Sequence, residues 1–574
     1  MDKRFFLALL LTGAVVIATP LIFRQPVPPP TAIASLEGGD TLPVATAPTP
    51  AGGDAAPATA SAAAATPTMG PAANTAASAP AVVAETLTLA NDLATYRFST
   101  LGARFLGAEL PRFDKLGEDN GTVQLEHGAE PMLAFRLIAG GDTIALDRIA
   151  FRSMRETSEA GERLVFDASL GAASTLRIAY TLAPDNYLTQ VTVTASGLAQ
   201  PAFLLSDLPT GFTSQEADTQ EDARHLAYAF KPQSSGAERV DFRKPDPGER
   251  LLRSGPHTWV VAKSKYFLVG LLAPSTEGSP LAELHVTGAV RVNKIAMRAT
   301  GTVVSPLANG SVAYELYAGP QEWERMVAMG RDFENANPYG GWISGVVQPF
   351  ATIVMRILLW MKRTLNVEYG WILVLFGVAI RLMMWPLNTR MMRSQMAMQR
   401  VAPLIQEAQN KHKGDPERQR EAVMKVYADA GVSPFSAFSG CLPMLIPMPI
   451  LFALFFVFQN TIEFRGVPFL WLADISLKDP FYILPLAMGL SMYALSWVGM
   501  RNVPPNPQTK MMSYLMPVIL TVALLNFASG LNLYYTVQNL AALPQQWLIA
   551  NERAKNAAPQ PVAAAKGGGR SRKS

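Results

Sequence analysis

Cysteine is almost missing from this 574-residue chain: the single Cys441 excludes an intrachain disulfide framework and any site built from several thiolates, and its place in an apolar run fits an inert core thiol. Histidine is scarce too. His127, His225, His257 and His285 precede the apolar C-terminal part and His412 lies in a polar loop, so no apolar span carries an imidazole. HExxH, a Ser and His pair or two Asp residues within the spans, a P-loop and a GxGxxG after a strand are all absent, which removes membrane proteolysis and nucleotide-driven pumping. An enzyme is not expected, and nothing requires a cofactor or a metal. Charge is sparse as well: 16% of residues are charged against 49% hydrophobic, and a net +4 gives no reason to expect DNA as a partner.

Carboxylates are missing where one would be needed most. Arg381 sits inside the apolar stretch 369–387, and no Asp or Glu lies in any later apolar segment. An Arg at the centre of a bilayer helix costs roughly 2.5–3.5 kcal/mol, and each Leu, Ile, Phe or Val returns about 0.3–0.6 kcal/mol. The surrounding apolar residues therefore roughly offset it, so the segment can insert while its guanidinium still needs water or polar partners.

What is present divides the chain into blocks. Lys3 and Arg4 precede an apolar run ending at Phe23, long enough to cross a bilayer, and residues 1–23 are expected to be an uncleaved anchor. Residues 24–84 are rich in Ala, Pro, Thr and Gly without an aromatic residue, which makes them a disordered tether. Between 85 and 340, alternating runs at 174–182, 189–195, 258–262 and 312–318, with turn signals at Asn120-Gly121 and Asn309-Gly310, predict a large all-β sandwich.

Residues 341–366 are apolar with Arg356, Lys362 and Arg363 interspersed. An interfacial amphipathic helix is expected there, because a span would put the later basic residues on the wrong side for the positive-inside tendency. Residues 367–550 are expected to hold five transmembrane helices, at about 369–387, 438–458, 481–500, 511–527 and 531–549. With the anchor, both termini are cytoplasmic and the β-domain is periplasmic.

Between the first two of these spans, 390–431 reads as a cytoplasmic helical hairpin bearing Arg390, Arg393 and Arg400, with Asp415 capping its second helix and Gly431 ending it. The tail 551–574 is basic and suits anionic lipid, ribosomal RNA or nothing specific. Gln459, Ser491, Ser496, Asn526, Asn532, Tyr534, Tyr535, Gln538 and Asn539 are the candidate polar lining around Arg381.

Several motifs resemble the bacterial YidC membrane-protein insertases: Gly377 to Arg381 continuing to Trp385-Pro386-Leu387, Gly440-Cys441-Leu442-Pro443, Met448-Pro449-Ile450, Asp479-Pro480 and Ser529-Gly530 running to Tyr534-Tyr535. The resemblance implies insertion and folding of inner-membrane proteins, alone or with the Sec translocon, without a cofactor. It also implies a hydrophilic groove open to the cytoplasm and the lipid bilayer, with Arg381 as its key cation, Tyr535 along the substrate path and Tyr534 beside it. Nascent membrane proteins are then the main partners, with the ribosome a further candidate through the basic tail.

Two groove positions depart from the family. Gly377 replaces a hydroxyl-bearing residue and Pro447 replaces Gln, so the groove is expected to be less polar. The segment 435–439 is also longer than usual. The rival reading is a small-anion transporter using Arg381 as its binding site, although five unequal spans show no repeat of the kind such transporters carry.

Overall fold

The structure, a computed structural model, describes residues 84–557 apart from 118–119, 159–160, 172, 275–277, 292–296, 338, 340–342, 430–447 and 502–506. The expected anchor, the tether up to 83, Pro447, Gly431 and the tail beyond 557 lie outside the described residues.

Apolar and polar residues alternate along Leu188–Ser196, and burial alternates with them, every second side chain being buried. This strand lies between Thr175–Leu182 and Ser311–Pro320 in a nine-stranded sheet. Ala202–Leu208 lies between Ala134–Ala139 and Ala299–Pro306 in a six-stranded sheet, and Thr86–Ala90 opens a four-stranded one. The paired strands run antiparallel, as expected for strands joined by short turns. His257–Lys263 and Phe267–Leu272 are buried along nearly their whole length, so the alternation expected at 258–262 is not matched by alternating burial.

The three sheets share one apolar core. Tyr180 of the nine-stranded sheet stacks 4.4 Å from Phe98 of the four-stranded one, and its hydroxyl donates to the Ala103 carbonyl at 2.7 Å. Tyr314 and Ser206 join the nine- and six-stranded sheets through their hydroxyls at 3.1 Å. These buried hydroxyls find their partners in other parts of the β-rich domain.

The helices, in chain order, are α1 (Thr219–Ala223), α2 (Trp323–Ala328), α3 (Ser344–Leu365), α4 (Tyr369–Lys411), α5 (Pro416–Asp429), α6 (Met448–Asn460), α7 (Ile483–Gly499), α8 (Pro507–Leu524) and α9 (Ser529–Ala557). α3 and the first part of α4, Tyr369–Arg393, are long and apolar enough to cross a membrane, and α6, α7 and α8 contain shorter apolar helices. On α7, Leu486, Leu490, Tyr493 and Trp497 are exposed at helical spacing, and on α8 Met511, Leu515, Val518 and Val522 repeat the pattern. Water would not favour such stripes; hydrocarbon does.

α4 joins two expected elements. The first span and the first arm of the hairpin form a single 43-residue helix, which Pro386 does not interrupt. One turn later, Thr389 Oγ1 donates to the Trp385 carbonyl at 2.9 Å, and an amide from α9 donates to the same carbonyl. These side-chain donors hold the turn that follows Pro386, whereas the carbonyl left without an N–H by the proline is that of Leu382, one turn earlier.

The β-rich part meets the helices through a buried polar junction. Arg465, in the loop after α6, donates from Nε to both carboxylate oxygens of Glu216 at 2.9 Å, and both side chains are almost fully buried, 4% and 8% exposed. Lys263 donates to Asn337 Oδ1 at 2.7 Å, and Asn337 Nδ2 donates to the Asn460 carbonyl at 2.9 Å. Glu463 accepts from the Trp323 backbone N–H at 3.1 Å.

Candidate functional site

Residues four apart on α4 (Gly377, Arg381, Trp385, Thr389 and Arg393) meet residues seven apart on α9, namely Gln538, Gln545 and Glu552. Both spacings stay close to the 3.6-residue period, so one polar stripe on each helix faces the other. The pairing rises along both sequences together, which makes the two helices parallel.

Arg381 is half-buried at the centre of this stripe. Its Nη2 donates to Gln545 Oε1 at 2.9 Å, and the Gln545 amide nitrogen donates in turn to the Trp385 carbonyl at 2.9 Å and Thr389 Oγ1 at 2.7 Å. Gln545 is itself buried, 1% exposed. Arg381 makes no ion pair among the described residues, and its buried Nε has no hydrogen-bond partner among them. A neutral amide orients the guanidinium without cancelling its charge, which can still attract an acidic group or water.

Around this centre the expected site residues take different places. The carbonyl of Gly377 accepts from Gln538 Nε2 at 2.8 Å, and a β-carbon at 377 would stand 3.1 Å from Val537 Cγ1. The glycine therefore brings the helices close, where a larger residue would hold them apart. Tyr534 is buried, its ring 6.1 Å from that of Phe376, and its hydroxyl accepts from Gln538 at 3.1 Å. Tyr535 packs edge-on against Tyr534, 5.8 Å between ring centres.

Other candidates are drawn away from Arg381. Asn539 donates to Ser491 on α7 at 3.1 Å, and Asn532 to the Leu524 carbonyl on α8 at 3.2 Å. Gln459 and Asn526 line a separate cavity against the β-rich domain. Among the hairpin residues, Arg393 pairs with Glu552 at 3.2 Å, Arg390 is exposed and Arg400 lies within α4. Asp415 Oδ1 accepts from the backbone N–H groups of Glu417 and Arg418 at 3.1 and 3.2 Å, where α5 begins.

Gln545 and Glu552 are absent from the polar positions that sequence reading singled out. The signal available for them was their seven-residue spacing from Gln538 along α9.

Helices that are apolar outward and polar between themselves, joined to three antiparallel sheets, define a membrane-integral protein with a large β-rich domain. The model of the family described as 60Kd inner membrane protein matches residues 360–557, and that of the YidC periplasmic domain matches residues 86–353. The membrane protein insertase YidC of Anaeromyxobacter dehalogenans is 31% identical over 583 residues, covering 98% of this chain and 99% of that protein. That of Chlorobaculum tepidum is 28% identical over 515 residues, covering 84% and 85%. A crystal structure of an active YidC insertase with its first transmembrane domain resolved covers 80% of this chain and 91% of that chain, at 19% identity and a TM-score of 0.31. This chain belongs to the YidC membrane protein insertase family. It is an inner-membrane protein whose β-rich part is the periplasmic domain and whose C-terminal helices form the insertase region.

Proposed function

We propose that the chain inserts and folds integral inner-membrane proteins, both alone and with the Sec translocon, by holding a short acidic or polar segment of the incoming chain against Arg381 while its apolar spans leave sideways into lipid. The observation that carries this reading is the pairing of Arg381 with the neutral Gln545, which leaves one positive charge uncompensated between two apolar helices. Hydrophobic partitioning of the substrate drives the process, and no bond is made or broken.

The reading includes an N-terminal anchor and five later spans, with both termini in the cytoplasm. α3 is long enough to cross, but we place it along the periplasmic surface. A crossing there would carry Arg390, Arg393 and the other hairpin cations to the periplasm, against the positive-inside tendency.

The test is depletion of the protein followed by rescue with Arg381→Ala or Arg381→Lys, scoring insertion of acidic-tailed substrates. Failure of Ala is expected. Full insertion by Ala would sink the role of the cation, and rescue by Lys would show that charge outweighs guanidinium geometry.

A further inference from the structure

Gln459 and Asn526, candidates for the lining around Arg381, stand in another place. They line a cavity of about 420 Å³ between the periplasmic domain and the loops that close the helices on that side, together with Lys265, Lys478 and Phe527. That volume lies within the roughly 300–1,000 Å³ of small-molecule sites.

Three cationic side chains, Lys265, Lys478 and Arg224, line this cavity against two carboxylates, Asp218 and Glu221. Lys265 is only 7% exposed; its backbone N–H is anchored on Asp222 Oδ1 at 3.0 Å, and its ammonium lies 5.0 Å from the Tyr266 ring centre. Neither Lys265 nor Lys478 forms an ion pair among the described residues, although Tyr266, Glu221 and Glu216 lie near enough to favour the Lys265 charge, and the side-chain amides of Gln459 and Asn526 hydrogen-bond no other described residue. Each of the two carboxylates in the lining has a partner. Asp218 Oδ1 accepts the Glu221 backbone N–H at 2.9 Å, and Glu221 pairs with Arg224 at 2.8 Å. Two ammonium groups and two free amides form a set that suits a compact oxyanion with several acceptor oxygens.

The location adds a constraint. Pro480, also in the lining, leads into Phe481 and Tyr482, which are 66% and 38% exposed just before α7. Exposed aromatic residues at the start of an apolar helix mark headgroup depth in a bilayer.

We infer that this cavity binds a phosphate group, presented on the headgroup of a periplasmic-leaflet phospholipid or as free phosphate, with Lys265, Lys478, Gln459 and Asn526 as its donors. The lipid source rests on the membrane reading above, whereas the phosphate chemistry rests on the cavity alone.

The full-length protein in detergent is tested with two probes, native mass spectrometry with phosphatidylglycerol against diacylglycerol of the same chains, and calorimetry with inorganic phosphate against chloride at equal ionic strength. Lys478→Gln and Asn526→Asp alter exposed side chains, so the fold is not at stake. Binding of at least one phosphate probe is expected, weakened about tenfold by each variant, in line with losing or opposing one charge-assisted contact. Phosphatidylglycerol held over diacylglycerol assigns the lipid source, and inorganic phosphate bound with the same variant sensitivity assigns the free anion. If neither phosphate probe binds, or the variants leave affinity unchanged, the site is wrong. Insertion of acidic-tailed substrates is read separately, so this result and the Arg381 test stand or fall independently.

Discussion

Arg381 on α4 and Gln545 on α9, 164 residues apart in sequence, meet through a 2.9 Å hydrogen bond in which the donor is charged and the acceptor neutral. Gln545→Glu puts a carboxylate against the guanidinium and removes the amide donor to the Trp385 carbonyl and Thr389 Oγ1. The new carboxylate would form an ion pair with Arg381 and occupy the guanidinium in place of a substrate. Insertion of acidic-tailed substrates is expected to fall about tenfold or more, beyond the effect of Gln545→Leu, which loses the same donor bonds without adding a charge. Unchanged insertion by this variant, measured by protease protection of the substrate tail, would count against a substrate-facing Arg381.

At Gly377, two effects compete. A larger side chain improves helix propensity by up to about 1 kcal/mol over glycine, but a branched one would press into Val537, whose Cγ1 is 3.1 Å from the position of a β-carbon. Overpacking of this kind costs about 1–3 kcal/mol, so Gly377→Val should lower the melting temperature, and adding Val537→Ala should recover most of the loss. A double variant no more stable than Gly377→Val would show that the close approach of α4 and α9 does not depend on this pair.

The buried pair Arg465 and Glu216 ties the loop after α6 to the periplasmic domain. Removing either partner strands a charge in the interior, at a cost of about 3–5 kcal/mol. Replacing both, as Arg465→Met with Glu216→Leu, should be clearly milder than either single change. Limited proteolysis of the loop 461–480 together with thermal unfolding would check this. Strictly additive losses would refute the coupling.

The same junction predicts an unusual pH profile. Burial pushes the Glu463 carboxyl up to about 7, and burial pulls the Lys263 ammonium down to about 7. The folded state holds the Glu463 proton more tightly than the unfolded chain, so this group's contribution is fullest at acid pH and is lost as pH climbs toward 7. Lys263 behaves in the opposite sense: its burial penalty is in force below about 7 and is relieved as pH rises from there toward 10.5. These two groups together place a stability minimum near pH 7. Glu463→Gln should flatten the acid limb and Lys263→Met the alkaline one in melting temperatures taken across pH; variants that keep the parent profile would assign it to other groups.

Much of the architecture was legible because it is written in local periodicity. Alternation marked 189–195, and the strand is Leu188–Ser196; the apolar runs at 481–500 and 511–527 correspond to α7 and α8 within a few residues. Asp415 with Pro416 announced the start of α5, since a cap needs only its next three residues. The join at 387–390 was not legible. The span was expected to end at about 387 and the hairpin to begin at 390, whereas α4 runs unbroken through both.

The sequence alone determined that Arg381 lies in an apolar run and that the later apolar runs hold no Asp or Glu, because both are properties of residue type and order. Which polar groups surround that charge was decided by tertiary structure. Packing of α9 along α4 brought Gln545 to the guanidinium, while packing of the loops against the periplasmic domain took Gln459 and Asn526 to a different cavity. A side chain's type sets what it can donate or accept. For Arg381 the partner is set by a contact between segments 164 residues apart.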